Sequence, residues 1–193
     1  MVSSDQSTNK AQLNDHPALI RAVEATIQAM GERLIVAAPL GIGKPNPLLN
    51  AFFHYAQAKP QIKLSLFTAL SLALPAGGND LRGRFIKSFR QRHFGTDYPE
   101  LAYIRPQRNG DLPDNIEITE FYLQPGSMLG RPLAQRHYIN SNYTHVARDM
   151  QSRGVNVICQ MVSAREGANG REFSLSCNPD VTLDLVDRLE HWQ

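Results

Sequence analysis

The residues of this sequence best suited to binding chemistry lie in one glycine-rich turn, Pro39 to Pro47 (PLGIGKPNP). Gly41 and Gly43 would let the backbone turn tightly and let a ligand approach it closely. Asn46 is a good N-cap and Pro47 a good first helical residue, and the free N–H groups at that helix start favour an anion together with Lys44. We therefore predict that Gly41, Gly43, Lys44 and Asn46 bind a cofactor or substrate.

Two well-known phosphate-binding motifs do not fit this turn. A Walker A loop would need a glycine where Ala38 stands and a hydroxyl residue where Pro45 stands. A dinucleotide fingerprint would need its third glycine at Asn46. An ordinary strand-to-helix turn without a ligand remains the alternative to an anion site.

A second polar cluster, Ser141 to His145 (SNYTH), lies at a predicted helix start. Asn142 and His145 are candidate substrate-binding residues that could donate hydrogen bonds. The alternative is a capping sequence, in which Ser141 or Asn142 caps the helix.

Other chemistry is poorly supported by residue spacing. Cys159 and Cys177 have no partners at zinc-ligand spacing, so we expect no metal and expect both to pack as small apolar residues. Glu117 and Glu120 lie three positions apart in a predicted strand, so their side chains point to opposite faces and cannot form a carboxylate pair. No nucleophile-elbow motif is present, and no catalytic residue can be assigned.

A basic stretch runs from Arg82 to His93 and is interleaved with Phe85 and Phe89. It could form a phosphate-binding or nucleic-acid face, or simply the solvated side of an amphipathic helix. The net charge of +2 is too small to argue for nucleic acid. We favour the amphipathic helix and predict no nucleic-acid partner.

Hydrophobic periodicity predicts the elements that must position these residues. The apolar run Arg33 to Ala38 has strand length, the turn leads into a helix closed by Pro60, and Ile62 to Leu70 is a second strand. This order is a βαβ unit with a parallel pair. The other predicted elements are helices over Pro17–Met30, Leu81–Phe89, Tyr143–Arg153 and Leu185–Trp192, a strand Ile116–Leu123, a loop over 94–114, and a hairpin of Val155–Ser163 with Glu172–Cys177. The predicted fold class is α/β, a mainly parallel sheet flanked by helices with a β-hairpin near the C-terminus.

The composition is that of one globular domain of 193 residues, with 42% hydrophobic and 20% charged residues. Residues 1–14 are polar and are predicted to be a flexible lead-in to a single domain over 15–193. The polar start resembles no signal peptide, and no apolar stretch is long enough to span a membrane. We therefore expect a cytoplasmic protein with no membrane partner.

Several segments together resemble the amino-terminal part of the acetyl-CoA hydrolase/transferase family. They run from about Arg33 to Leu185 and comprise RLIVAAPLGIGKPNPLLNAFF, LSLFTALSLALP, LPDNIEITEFYLQPGSMLGRPLAQRHYINSNYTHVARDM, GVNVICQMVS and FSLSCNPDVTLDL. The resemblance implies a CoA-transferase-like fold and acyl-CoA thioesters as substrates, with coenzyme A as carrier and a small carboxylate or water as acceptor. It also implies covalent catalysis by a glutamate carboxylate.

Members of that family contain two related halves, and their nucleophilic glutamate lies in the second. The resemblance therefore implies that this chain is a first half, with the glutamate supplied by a second half or another polypeptide, and it places that glutamate on no residue here. Assembly with a second half or into a homo-oligomer is expected. The alternative is a non-catalytic CoA-binding or assembly module with the same fold.

Overall fold

The computed structural model describes residues 16–41, 43–175 and 179–190. The helices are α1 (Pro17–Met30), α2 (Asn46–Ala58), α3 (Leu81–Phe94), α4 (Ile104–Asn109), α5 (Pro132–Arg136), α6 (Tyr143–Ser152) and α7 (Thr182–Glu190). The strands are β1 (Arg33–Ala37), β2 (Lys63–Thr68), β3 (Ile116–Glu120), β4 (Val157–Ile158), β5 (Ser163–Gly167) and β6 (Gly170–Ser174).

Four strands form a parallel sheet in the order β3-β2-β1-β4. β2 pairs with each neighbour through five residue pairs, whereas β4 joins β1 through only two, Val36 with Val157 and Ala37 with Ile158. This arrangement confirms the predicted α/β class and the parallel βαβ pair. None of the described helices is both long and apolar enough to cross a membrane.

Apolar clusters cover both faces of the sheet, which explains why β1 is a nearly continuous apolar run. Alternate residues face opposite sides: Leu34 and Val36 pack with α1 and α2, whereas Ala37 packs with α6 and α7. Phe67 joins the second cluster. The sheet is thus a rigid layer whose carboxyl edge carries the loops that follow β1, β2 and β4.

The predicted hairpin and its first strand were wrong in extent. The run Val155–Ser163 is divided: Val157–Ile158 joins the parallel sheet, and the hairpin is formed by β5 with β6. The hairpin is exposed, and its register places Arg165 opposite Glu172. Nη2 of Arg165 lies 2.6 Å from Oε2 of Glu172. The loop predicted over 94–114 contains the short helix α4. The predicted lead-in 1–14, Cys177 and Trp192 lie outside the described residues.

Helix α3 presents its apolar stripe outward. The exposed fractions are 75% for Leu81, 70% for Phe85 and 40% for Phe89. Gly83 is buried and Ile86 half-buried, so these residues mark the side of the helix that faces the protein. The sequence favoured an amphipathic helix with a solvated polar side. In the structure, the apolar stripe of α3 is exposed to solvent as well.

Candidate functional site

A cavity of about 570 Å³ opens beside the loops that follow β1 and β2. Its size is in the range of small-molecule sites. Most of its wall is apolar, formed by Leu40, Pro47, Leu70, Leu72, Pro99, Leu101 and Met161. The polar or backbone contributions come from Gly41, Lys44, Asn46 and Tyr98.

The topology of the sheet explains this location. The chain moves from β1 through β2 to β3 and then returns to the other side of β1 as β4. Open α/β sheets bind ligands at such a reversal, beyond the carboxyl ends of the strands. Leu40 follows β1 and Met161 follows β4, and both line the cavity. The cavity therefore lies beside the reversal point.

At Gly43 the backbone is approached closely by another part of the protein and not by a ligand. A Cβ atom at this position would overlap the Gln160 side-chain amide, whose Cδ would lie only 3.1 Å away. The carbonyl of Gly43 accepts a hydrogen bond from Met161 N at 2.8 Å. Thr182 Oγ1 donates to Gln160 Oε1 at 2.7 Å and holds that side chain in place. Gly43 thus fastens the turn to the segment after β4.

Lys44 is the cation of the cavity. Its side chain is 8% exposed, and its Nζ donates to the carbonyl of Ala69 at 2.6 Å. Burial lowers the pKa of Lys44 from 10.5 to about 8, and the charges of Glu120 and Asp180 partly oppose that shift. At pH 7 the ammonium form still predominates, so the cavity offers one positive charge among apolar walls.

Asn46 is the first residue of α2 and does not cap it. Pro45 occupies the cap position, and no side chain makes a capping bond there. The amide of Asn46 donates instead to the carbonyl of Pro99 at 2.9 Å and to Tyr98 Oη at 3.2 Å. The sequence expectation of a cap is corrected, and the residue ties the far wall of the cavity to the turn.

A buried polar network lies under the cavity at the end of β3. Glu120 is 2% exposed, and its Oε1 accepts from Ser71 N at 2.9 Å. Its Oε2 accepts from Gln107 Nε2 at 3.4 Å. Ser71 Oγ and Tyr103 Oη lie 2.8 Å apart, and burial together with the Glu120 charge raises the pKa of Tyr103. Glu120 is thus engaged as an acceptor that anchors the loop after β2.

Backbone strain also occurs at the cavity wall. Leu70 has a φ of +50°, which is rare for a branched apolar residue, and its N–H donates to the carbonyl of Tyr122 at 2.7 Å. Such strain persists only where the surroundings enforce it, and it concentrates at functional sites. Periodicity in the sequence gives no indication of it.

The polar cluster at the start of α6 reaches the cavity only indirectly. His145 Nδ1 lies 2.8 Å from Asn142 Oδ1, and neither residue lines the cavity. Between them, Tyr143 interacts with Asp180, and partial burial together with that carboxylate raises the pKa of the Tyr143 phenol. Asp180 in turn accepts a hydrogen bond from the backbone N–H of Leu40.

The structure therefore brings together Gly41, Lys44 and Asn46 and places Gly43 behind them. Asn142 and His145 lie on the neighbouring helix, and their binding role remains a prediction. Tyr98 and Asp180 are the site residues that sequence reasoning missed. Each belongs to an irregular segment that only tertiary packing places here.

Cys159 lies in the core and does not line the cavity. Burial raises the pKa of its thiol to about 12, so it packs as an apolar residue as predicted. Within residues 16–41, 43–175 and 179–190, no group of three or more His, Cys, Asp or Glu side chains is arranged to hold a metal ion.

No family model, curated protein or solved structure matches this chain.

Proposed function

We propose that this chain acts on acyl-CoA thioesters as the amino-terminal half of an acyl-CoA hydrolase or CoA-transferase. The observation that carries the proposal is the 570 Å³ cavity with apolar walls and a single buried ammonium group, Lys44. Apolar walls suit a short acyl chain. The ammonium group suits the carboxylate of the acceptor acid, which takes the place of the acyl group on coenzyme A. The acyl chain would contact Leu40, Leu70 and Met161.

The cavity also coincides with the segments that carry the family resemblance. Eight of its eleven lining residues belong to the segments around Pro39–Pro47, Leu64–Pro75 and Gly154–Ser163. The longest resembling segment, 112–150, contributes no wall residue, so the resemblance at this cavity rests on the loops after β1, β2 and β4.

The nucleophile of the proposed reaction comes from outside this half. A glutamate carboxylate attacks the thioester carbonyl carbon, the C–S bond breaks and the CoA thiolate leaves, which gives an acyl-glutamyl anhydride. The thiolate then attacks the glutamyl carbonyl and releases the acyl group as a carboxylate. Water finally cleaves the glutamyl thioester, or a second carboxylate accepts the CoA. Glu120 is unsuited to the first step because it is buried and both of its oxygens accept hydrogen bonds.

Calorimetric titration of the full chain with acetyl-CoA at pH 7 tests the proposal. Lys44→Met should weaken the binding of acetate, the carboxylate acceptor titrated in the same way, at least tenfold, because the acetate loses a charge-assisted contact in a buried site. The matched control is Lys63→Met, which removes an exposed amine from the opposite end of β2 and should leave binding within twofold. Absence of heat with acetyl-CoA, or equal losses in the two variants, would refute the proposal.

Both carboxylate oxygens of Glu120 already accept hydrogen bonds, which also supports the second candidate, a CoA-binding module without catalysis. Release of free thiol from acetyl-CoA distinguishes the two candidates. Addition of a second half that carries the glutamate should start thiol release if the chain is a catalytic half. Binding without thiol release after that addition would favour the module.

A further inference from the structure

A second cavity, of about 620 Å³, lies on the protein-facing side of helix α3. Its lining includes Lys87 and Arg90, which are one turn apart on the helix, and Thr96, which follows the helix. We propose that this cavity binds the phosphoryl groups of a small organic phosphate. The proposal does not depend on the acyl-CoA function, because it involves neither Lys44 nor the cavity beside it.

Three glycines create the shape of this cavity. A Cβ atom on Gly77 would lie 2.6 Å from the Cα of Gly83, and a Cβ atom on Gly83 would overlap the carbonyl oxygen of Gly78. The loop before α3 therefore touches the backbone of the first helical turn directly. The same glycines line the cavity together with Lys87 and Arg90, which lie further along the helix. A cavity lined by exposed glycine backbone and by two cations is suited to binding an anion.

The electrostatics of the cavity favour an anion as well. None of its lining residues is acidic, and neither Lys87 nor Arg90 belongs to an ion pair among the described residues. Two carboxylates, those of Asp80 and Asp97, lie near its glycines without lining it. Asp80 is engaged as the cap of α3, where its Oδ1 accepts from Gly83 N at 2.8 Å.

The number and type of cations indicate a phosphoryl group rather than a carboxylate. A phosphate ester carries up to two negative charges, which matches one ammonium and one guanidinium group. Arginine can contact such a group through two parallel N–H bonds. The cavity is larger than a free phosphate ion requires, so an organic phosphate fits it better. A nucleic-acid strand would instead follow the whole basic helix and would also use Arg82 and Arg84.

Calorimetric titration of the full chain with pyrophosphate and with adenosine 5′-diphosphate tests this site. Both probes should bind, the nucleotide more tightly because it fills more of the cavity. Lys87→Gln and Arg90→Gln should each weaken binding about tenfold or more. The matched controls are Arg82→Gln and Arg84→Gln, which remove exposed cations of the same helix and should change binding less than threefold. Lys44→Met should leave nucleotide binding unchanged, which separates this site from the proposed acyl site.

Three outcomes would overturn the proposal. The first is no binding of either probe by a wild-type chain with an intact circular dichroism spectrum. The second is an equal loss of binding in all four α3 variants, which would indicate diffuse attraction. The third is tighter binding of a single-stranded RNA dodecamer with equal dependence on all four cations, which would assign the helix to nucleic acid.

Discussion

Replacing Lys44 with Met should reveal the energetic cost of its burial as a dependence of stability on pH. The folded state lowers the pKa of Lys44 from 10.5 to about 8, whereas unfolding restores the ordinary value. Below pH 8 both states bind the proton, so the folded state carries the full cost of a buried charge. Between pH 8 and pH 10.5 the unfolded state binds more protons, and the stability of the wild-type chain therefore rises with pH.

The difference between the two pKa values corresponds to a cost of about 3 kcal/mol for burying the charged amine, at about 1.36 kcal/mol per pH unit. About 2.5 kcal/mol of this cost is relieved between pH 7 and pH 10. We therefore expect the free energy of unfolding of the wild type to rise by about 2.5 kcal/mol relative to that of Lys44→Met over this interval. Urea denaturation followed by circular dichroism at pH 7, 8, 9 and 10 measures the difference.

The comparison with a variant cancels the titration of the groups that both chains share. Lys63→Met, at the exposed amino end of β2, controls for the loss of one positive charge. A wild-type advantage that stays constant from pH 7 to pH 10 would refute the reasoning. If the attraction of Glu120 and Asp180 outweighed burial, the pKa of Lys44 would lie above 10.5, and the difference would fall only above about pH 10.

Three further predictions concern the surroundings of Lys44. Gly43→Ala should lower the free energy of unfolding by about 1–3 kcal/mol through its clash with Gln160; adding Gln160→Ala should recover at least half of that loss in urea denaturation, and no recovery would place the clash elsewhere. Tyr103→Phe should cost about 1–3 kcal/mol because Ser71 Oγ loses its buried partner; in a double-mutant cycle with Ser71→Ala, purely additive costs would contradict that contact. Glu120→Gln removes a charge that raises the pKa of Lys44, so the rise in stability measured against Glu120→Gln/Lys44→Met should begin below pH 8, and an unchanged onset would refute this coupling.

The part of the fold that follows from the sequence is the part set by local patterns. β1, the glycine turn and α2 could be predicted because an apolar run, a glycine pair and a helix-start sequence follow one another within 26 residues, from Arg33 to Ala58. The division of Val155–Ser163 could not be predicted, because the residues after β4 leave the sheet and contact Gly43, which is distant in sequence. Helix α3 was predicted from its periodicity, but periodicity alone does not decide which side of a helix finds a partner.

The same distinction applies to the candidate site. Lys44 was predicted because a cation beside two glycines is a local sequence feature. Tyr98 and Pro99 were not, because they belong to an irregular loop that Asn46 holds by long-range hydrogen bonds. The strain at Leu70 has no sequence signature, since leucine rarely has a positive φ.

The shortness of β4 has a consequence for the motions of this protein. A strand held by two residue pairs is expected to open at a lower free energy than β2, which has a neighbour on each side, so β4 should exchange its amide protons before β2. Cys159 N and Met161 N donate to the carbonyls of Ala37 and Gly43, so opening of the segment after β4 also breaks one hydrogen bond of the turn that carries Lys44. Lys44 would then become more accessible to water during local openings that leave the centre of the sheet protected.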